Sequence, residues 1–197
     1  VIWDGVTSSL GSGGGGGGSA TVGDGDSVGM IKSWSGFIAP YGYVFAYGQE
    51  LVRDSYPAAF AALTLQQNVT CASGDPILTG VSDTSQLPIG APIESSCLNA
   101  GATIVSKTIN SITASSNAII STTATARFYP FGNGDGSLTF NVPDLRGRVI
   151  AGRDNMGGIS ANRLPVDFAS LGKTGGAAVN TLIVDNLPPY TPAGSIT

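Results

Sequence analysis

The chain has 197 residues, 29 of them glycine, with 11% charged side chains, a formal net charge of -4 and no histidine. That length allows one domain with a real core plus a smaller module, and so much glycine with so little charge describes strands and turns better than helices. The acidic balance argues against sequence-nonspecific DNA binding, no run reaches the length of a transmembrane helix, and no basic segment with an apolar core opens the chain as a signal peptide would.

Four zones follow in chain order. Residues 1–27 hold the unbroken run Gly13 to Gly18, which has no side chain to bury and the highest backbone entropy, so the zone is predicted as a linker, with a close crossing of backbones as the alternative. Val1-Ile2-Trp3 is apolar enough to pack against a neighbour, and a first residue that is Val, not Met, fits a processed product or a fragment. In 28–67 the pattern predicts a strand holding Met30 and Ile31, a turn at Pro40, and a second strand whose alternate aromatics Tyr43, Phe45 and Tyr47 make one packed face. A helix of two or three turns comes next. Pro57 belongs to its first turn, where a missing amide costs little, and Phe60 and Leu63 are spaced to face the core.

Residues 68–127 are rich in Thr, Ser, Val and Ile and read as a β-module. Its strand candidates are Ile77 to Val81, Ala91 to Glu94, Thr103 to Lys107, Ser111 to Thr113 and Ala118 to Thr123. Both cysteines, Cys71 and Cys97, lie in this zone. A disulfide between them would tie its first strand to its middle loop, whereas a protein assembled in a reducing cytoplasm keeps free thiols.

The densest signal is Gly132-Asn133-Gly134-Asp135-Gly136-Ser137-Leu138-Thr139-Phe140-Asn141-Val142-Pro143-Asp144-Leu145-Arg146-Gly147-Arg148, inside a zone of residues 128–190. Asn133 to Gly136 tolerate the positive φ of a tight reversal, and Leu138, Phe140 and Val142 alternate onto one strand face. Pro143 stops the ladder, since it has no amide hydrogen to donate. Around Gly147, the residues Asp144, Arg146 and Arg148 suit a carboxylate and guanidinium network bracing a bend. An anion or nucleic-acid contact by the Arg-Gly-Arg triplet is the weaker reading in so acidic a chain. Residues 191–197 are a short polar tail.

No catalytic residue is predicted. Serine and cysteine triads need a base, and the usual one is missing. Ser170-Leu171-Gly172-Lys173-Thr174 imitates the end of a phosphate-binding loop, but Asp167 stands where its first glycine belongs and would repel phosphate. Asp135, Asp144 and Asp154 lack the paired-acid pattern of a glycan hydrolase; one fits a turn and two sit next to arginines. Asp24-Gly25-Asp26-Ser27 lacks the later glutamate of a calcium loop. Without histidine, and with two cysteines, a zinc or iron site of imidazole and thiolate cannot be assembled, so neither metal nor cofactor is expected.

The residues from Gly132 to Arg148 resemble the phage tail-collar family, found at the tips of tail fibres and related adhesins. Upstream, Val28-Gly29-Met30-Ile31-Lys32-Ser33-Trp34-Ser35-Gly36, Ala39-Pro40-Tyr41-Gly42-Tyr43 and Tyr47-Gly48-Gln49 are similar to the family's opening strand, proline turn and Gly-Gln step. Arg53 to Phe60, with Tyr56-Pro57, resembles its short helix. Downstream, Gly152 to Gly158 and Ala161-Asn162-Arg163-Leu164 continue the pattern, and Leu182 to Pro189 looks like the strand leading into its Leu-Pro-Pro step. One departure matters. Where relatives often carry a His-Thr-His run that holds a metal, this chain has Pro188-Pro189-Tyr190-Thr191-Pro192, so the metal is not carried over.

The resemblance implies a mainly β protein with a short helix (α+β, loop-rich). A discontinuous collar domain, 28–67 plus 128–190, is interrupted by a small all-β insertion, 68–127, in an intertwined homotrimer. It implies a structural and adhesive component of a bacteriophage tail fibre or tail tip, located in the virion, displaying loops for host recognition. Expected partners are further copies of the chain, other phage tail proteins, and a host-surface glycan or outer-membrane protein; neither nucleic acid nor membrane insertion is expected. Receptor contact is expected within Cys71 to Arg127, although Tyr129 or Tyr190 could stack on sugar rings if exposed. Because relatives continue past the Leu-Pro-Pro step into a variable head, either that head is missing here or the insertion replaces it. The rival readings are an architectural tail or baseplate protein that never touches the host, and a secreted bacterial homologue.

Overall fold

Two hydrophobic clusters organise the chain, and they draw on different stretches of it. One gathers Leu51, Ala59 and Leu63 with Tyr129, Phe140 and Val142, flanked by Val28, Val44, Ala46, Tyr56, Phe60 and Phe131. The other is drawn wholly from residues 69–128, with Leu78, Leu87, Ile104, Ile112 and Phe128 at its centre and Leu65 against it. The computed structural model describes residues 2–3, 27–164, 170–179 and 181–186; the glycine run, Asp24 to Asp26, Asp167 and Pro188 to Pro192 lie outside them.

Strand β1 (Ile2–Trp3) pairs antiparallel with β2 (Tyr43–Val44), whose Val44 flanks the first cluster, and within that cluster β3 (Glu50–Val52) pairs antiparallel with a strand far along the chain, Thr139–Asn141. Helix α1 (Pro57–Leu63) carries Pro57 at its start, where the missing amide breaks no helical bond, and buries Ala59 and Leu63 against those strands. The chain then enters a six-stranded antiparallel sheet. It consists of β4 (Leu65–Cys71), β5 (Ile77–Thr79), β6 (Ile93–Ser95), β7 (Ile104–Lys107), β8 (Ser111–Ala114) and β9 (Thr122–Phe128), in the order β6-β9-β4-β5-β8-β7. β10 (Thr139–Asn141) returns to β3.

The two edges of the large sheet meet. Pro92 and Thr103 form a bridge, Ile93 N–H donates to Ala102 O at 2.8 Å and Ile104 N–H to Ala91 O at 3.0 Å, so the sheet curls into a small closed barrel. Closure satisfies edge amides that would otherwise template pairing with another chain. Val69 and Cys71 on β4, Leu78 on β5, Ile112 and Ala114 on β8 and Ala126 and Phe128 on β9 point inward. The alternate positions Asn68, Thr70, Thr123 and Thr125 point out, as the period of two requires.

Several expectations need correction. The sheet starts at Leu65 and runs to Phe128, so its first strand begins before residue 68, and its last is Thr122–Phe128, not Ala118 to Thr123. Met30 and Ile31 do not form a strand, and Tyr47 is exposed instead of completing an aromatic face with Tyr43. The helix begins at Pro57, because Arg53 to Ser55 form a turn after β3. Leu138 is 65% exposed while Phe140 and Val142 are buried, so the alternation starts one step later than predicted. Val184–Asn186 is a 3-10 turn where a strand was expected.

Candidate functional site

The signature Gly132 to Arg148 is a self-bracing knot. Gly134 (φ 58°) and Gly136 (φ 78°) take left-handed conformations, and Gly136 N–H donates to Asn133 O at 2.9 Å to close the reversal. Asp135 Oδ1 accepts the amides of Ser137, Leu138 and Thr139 at 2.9, 2.8 and 3.0 Å, and these bonds hold its carboxyl down at about 2. Asn141 accepts Gly134 N–H through Oδ1 and donates through Nδ2 to Gly48 O, stitching the turn to the chain before β3. Thr139 Oγ1 reaches Glu50 at 3.0 Å.

Pro143 interrupts the ladder without ending it. Its carbonyl accepts Gly48 N–H at 3.3 Å, and pairing resumes beyond it with the Tyr47–Asp144 bridge and Leu145 N–H on Ala46 O at 2.9 Å. Asp144 then clasps Arg146 through Nε (2.9 Å), Nη2 (2.8 Å) and the Arg146 amide (3.1 Å), and Arg146 is the main reason its carboxyl sits at about 2. Gly147 (φ 64°) makes the bend. Arg148 makes no hydrogen bond to Asp144 and only adds positive potential there, so the predicted three-residue network is a pair. Asp154 likewise caps a turn rather than pairing with an arginine. It accepts from Ser160 Oγ and from the amides of Asn162, Arg163 and Leu164, which lower its pKa.

Between the two clusters lies a joint that the sequence does not announce. Arg53 packs its guanidinium over the rings of Phe60 (5.1 Å) and Tyr129 (5.3 Å), donates to Thr139 O at 3.0 Å, and pairs with Glu94 of the barrel at 3.0 Å. Arg127, from β9, covers Phe60 at 4.4 Å and donates to Thr64 Oγ1 at 2.7 Å and to Gln66. Tyr129 donates its hydroxyl to Glu94. Burial, then that hydrogen bond and the Glu94 charge, pushes the phenol well above its ordinary range. Tyr129 is therefore a core residue and offers no ring face to a sugar. A sequence signal existed only in retrospect: Arg53, Glu94 and Arg127 are three of the few charges in this chain, and their meeting is wholly non-local.

Cys71 and Cys97 are disulfide-bonded, with Cα atoms 6.4 Å apart, both inside the barrel core. The bond ties the end of β4 to the loop after β6. Around it three loops are stitched together: Gly74 N–H donates to Ala118 O (2.8 Å), Ala118 N–H to Asp75 O (2.9 Å), Ile119 N–H to Cys97 O (2.9 Å) and Ser73 N–H to Ser121 Oγ (2.9 Å). This loop cluster lies at the end of β4 away from α1. At the side of the barrel Lys107 Nζ donates to Thr84 O and Leu87 O and to Ser170 Oγ at 2.9 Å; desolvation lowers its pKa. Ser170 to Thr174 thus packs as a loop, with Gly172 so close to Pro130 O that a Cβ would lie 2.6 Å from it.

No protein-family model matches this chain, and no curated protein or solved structure matches it either.

Proposed function

We propose that this protein is a structural and adhesive component of a bacteriophage tail fibre or tail tip, in which a collar-type mount carries the barrel as an exposed host-contacting module. The observation that carries this reading is the shared cluster of Leu51, Ala59 and Leu63 with Tyr129, Phe140 and Val142. Two segments similar to the collar signature close on each other through β3 and β10, while the intervening barrel keeps a separate core. Leu65 and Phe128 are paired neighbours, so chain entry and exit lie side by side, as a module mounted on a base needs.

Self-association belongs to the same proposal, as a homotrimer assembled with other tail proteins in the virion. Val149, Ile150, Ile159, Val179 and Leu182 are exposed apolar side chains outside both clusters, and contact with further copies would take them out of water. Three copies per fibre also multiply a weak single contact by raising its effective concentration.

The test is adsorption. Purified protein is expected to sediment as a trimer, to bind cells of a susceptible strain and to compete with phage. Replacing residues 65–128 by a short turn from Thr64 to Tyr129 is expected to abolish competition and leave the trimer intact. Failure of the full chain to bind or compete at saturation would favour the architectural connector; full competition by the shortened chain would put the contact outside the barrel.

A further inference from the structure

Asn133 is the one asparagine in this chain that is followed by glycine. The pair has a chemistry of its own, because glycine sets no side chain in front of its nitrogen and leaves the backbone free to rotate. Once the Gly134 amide gives up its proton to base, its nitrogen can attack Asn133 Cγ. The new N–Cγ bond closes a succinimide ring, and the side-chain nitrogen departs as ammonia, keeping the electron pair of the broken C–N bond and taking a proton from water. A second water then opens the ring at either carbonyl, giving aspartate or isoaspartate.

In the folded turn this attack is stopped at the nucleophile. Gly134 N–H is donated to Asn141 Oδ1 at 2.8 Å, so its proton is engaged by strand β10. Asn141 is itself fixed, because its Nδ2 donates to Gly48 O at 2.9 Å and its main chain pairs with Glu50. Gly134 has no room to swing away, since even a Cβ added there would come within 2.8 Å of Thr139 Cβ. The Asn133 carboxamide reaches across the reversal instead, with Nδ2 3.5 Å from where a Cβ of Gly136 would stand, and Asn133 O holds Gly136 N–H at 2.9 Å. Water is at hand all the same: Asn133 is half-buried, and Asp135 to Leu138 are exposed. Only the free nitrogen is lacking.

We propose that Asn133 is a site of spontaneous deamidation and that Asn141 sets its rate: the ring closes only when the turn opens locally and Gly134 N–H leaves Asn141. The change is permanent. Isoaspartate inserts a methylene into the main chain of a tight reversal and sets a second carboxylate beside Asp135, so the register that joins Gly134 to Asn141 and Gly136 to Asn133 is lost. The signature turn thereby keeps a chemical record of its own openings, whatever surface the protein binds.

The experiment holds the full chain in mildly alkaline buffer made with heavy-oxygen water, folded or in urea, and follows label uptake at Asn133 by peptide mass spectrometry. Conversion in urea is expected to run at least about tenfold faster than in the folded chain, the protection that a closed turn gives. Asn141→Ala, folded by circular dichroism, should convert at least about fivefold faster than folded wild type, because Gly134 N–H has lost its acceptor. Asn141→Asp keeps an acceptor oxygen and should stay within about twofold of wild type, as should Cys71→Ala/Cys97→Ala, which loosens the barrel and leaves the turn untouched. Folded wild type converting as fast as the unfolded chain overturns the proposal. So does a folded Asn141→Ala no faster than wild type, or an Asn141→Asp as fast as Asn141→Ala. If Asn141→Ala does not fold, hydrogen exchange on the wild type decides in its place: the Gly134 amide is expected to be protected, and free exchange there overturns the proposal.

Discussion

Arg53 and Glu94 meet at 3.0 Å across the boundary between the two hydrophobic clusters, one contributed by the turn after β3 and the other by barrel strand β6. Arg53 is the more buried partner, clamped between Phe60 and Tyr129, so the pair fixes how the barrel stands on its base. Glu94→Gln leaves the buried guanidinium without its counter-charge and is expected to cost about 1–3 kcal/mol. Arg53→Lys should not restore stability, because an ammonium cannot lie flat on two rings while donating to Thr139 O and Glu94. Urea unfolding of the three proteins checks this; a loss below about 0.5 kcal/mol for Glu94→Gln would place it among ordinary surface pairs.

The turn glycines should rank by what surrounds them. At Gly136 (φ 78°) an added Cβ would meet nothing closer than 3.5 Å, so Gly136→Ala is expected to cost only the backbone penalty of about 1–2 kcal/mol. At Gly134 (φ 58°) the Cβ would lie 2.8 Å from Thr139 Cβ and 2.9 Å from its carbonyl carbon, which belongs to strand β10 and cannot retreat. Gly134→Ala is expected to exceed about 3 kcal/mol by adding overpacking to the same strain. Equal melting temperatures for the two variants would contradict this order.

Acid should loosen the signature turn in a defined window. The Asp135 carboxyl titrates at about 2 in the folded chain and at about 3.9 when unfolded, so its ionised form favours folding above about pH 4, and that contribution disappears as the pH falls toward 2. Asp144, also held at about 2, adds in the same direction. Asp135→Asn removes the ionisation while keeping the shape. Its stability is expected to fall less steeply than wild type between about pH 4 and 2, measured by chemical unfolding at stepped pH. Parallel curves would show that the three amide bonds carry no charge-dependent stability.

The disulfide closes a loop with a sequence separation of 26, for which chain entropy gives about 3.5 kcal/mol of stabilisation. Cys71→Ala/Cys97→Ala is expected to lose that amount, and hydrogen exchange should quicken first at Gly74, Ala118 and Ile119, whose amides stitch the three loops. Exchange quickening instead at Thr139 to Asn141 would mean that the bridge steadies the base and not the tip.

Local chemistry was the legible part of this chain. The Asn133 to Gly136 reversal, the place of Asp135 in that turn and of Pro57 in the first turn of α1 depend on residues within a few positions of one another, and they appear where the pattern puts them; the three amides that Asp135 accepts were not foreseen. Strand β4 was hidden because Leu65-Gln66-Gln67-Asn68 follows a helix directly and has little strand propensity of its own. What makes it a strand is its full-length register with β9, from Leu65 on Phe128 to Cys71 on Thr122, a partner more than fifty residues away. Barrel closure through Pro92 and Thr103 and the joint around Phe60 were illegible for the same reason. Leu138 shows the opposite error. Its apolar character suggested an inward position, but Asp135 takes its amide for the turn, leaving its side chain outside.

Leu65 facing Phe128 gives the fold a doorway one strand pair wide. A foreign cassette whose two ends can stand about 5 Å apart would fit that opening if it also supplied an acid for Arg53 and Tyr129 and a cover for Phe60, the parts that Glu94 and Arg127 play now. Exchange at this point would therefore be decided by two side chains of the inserted segment, not by its length.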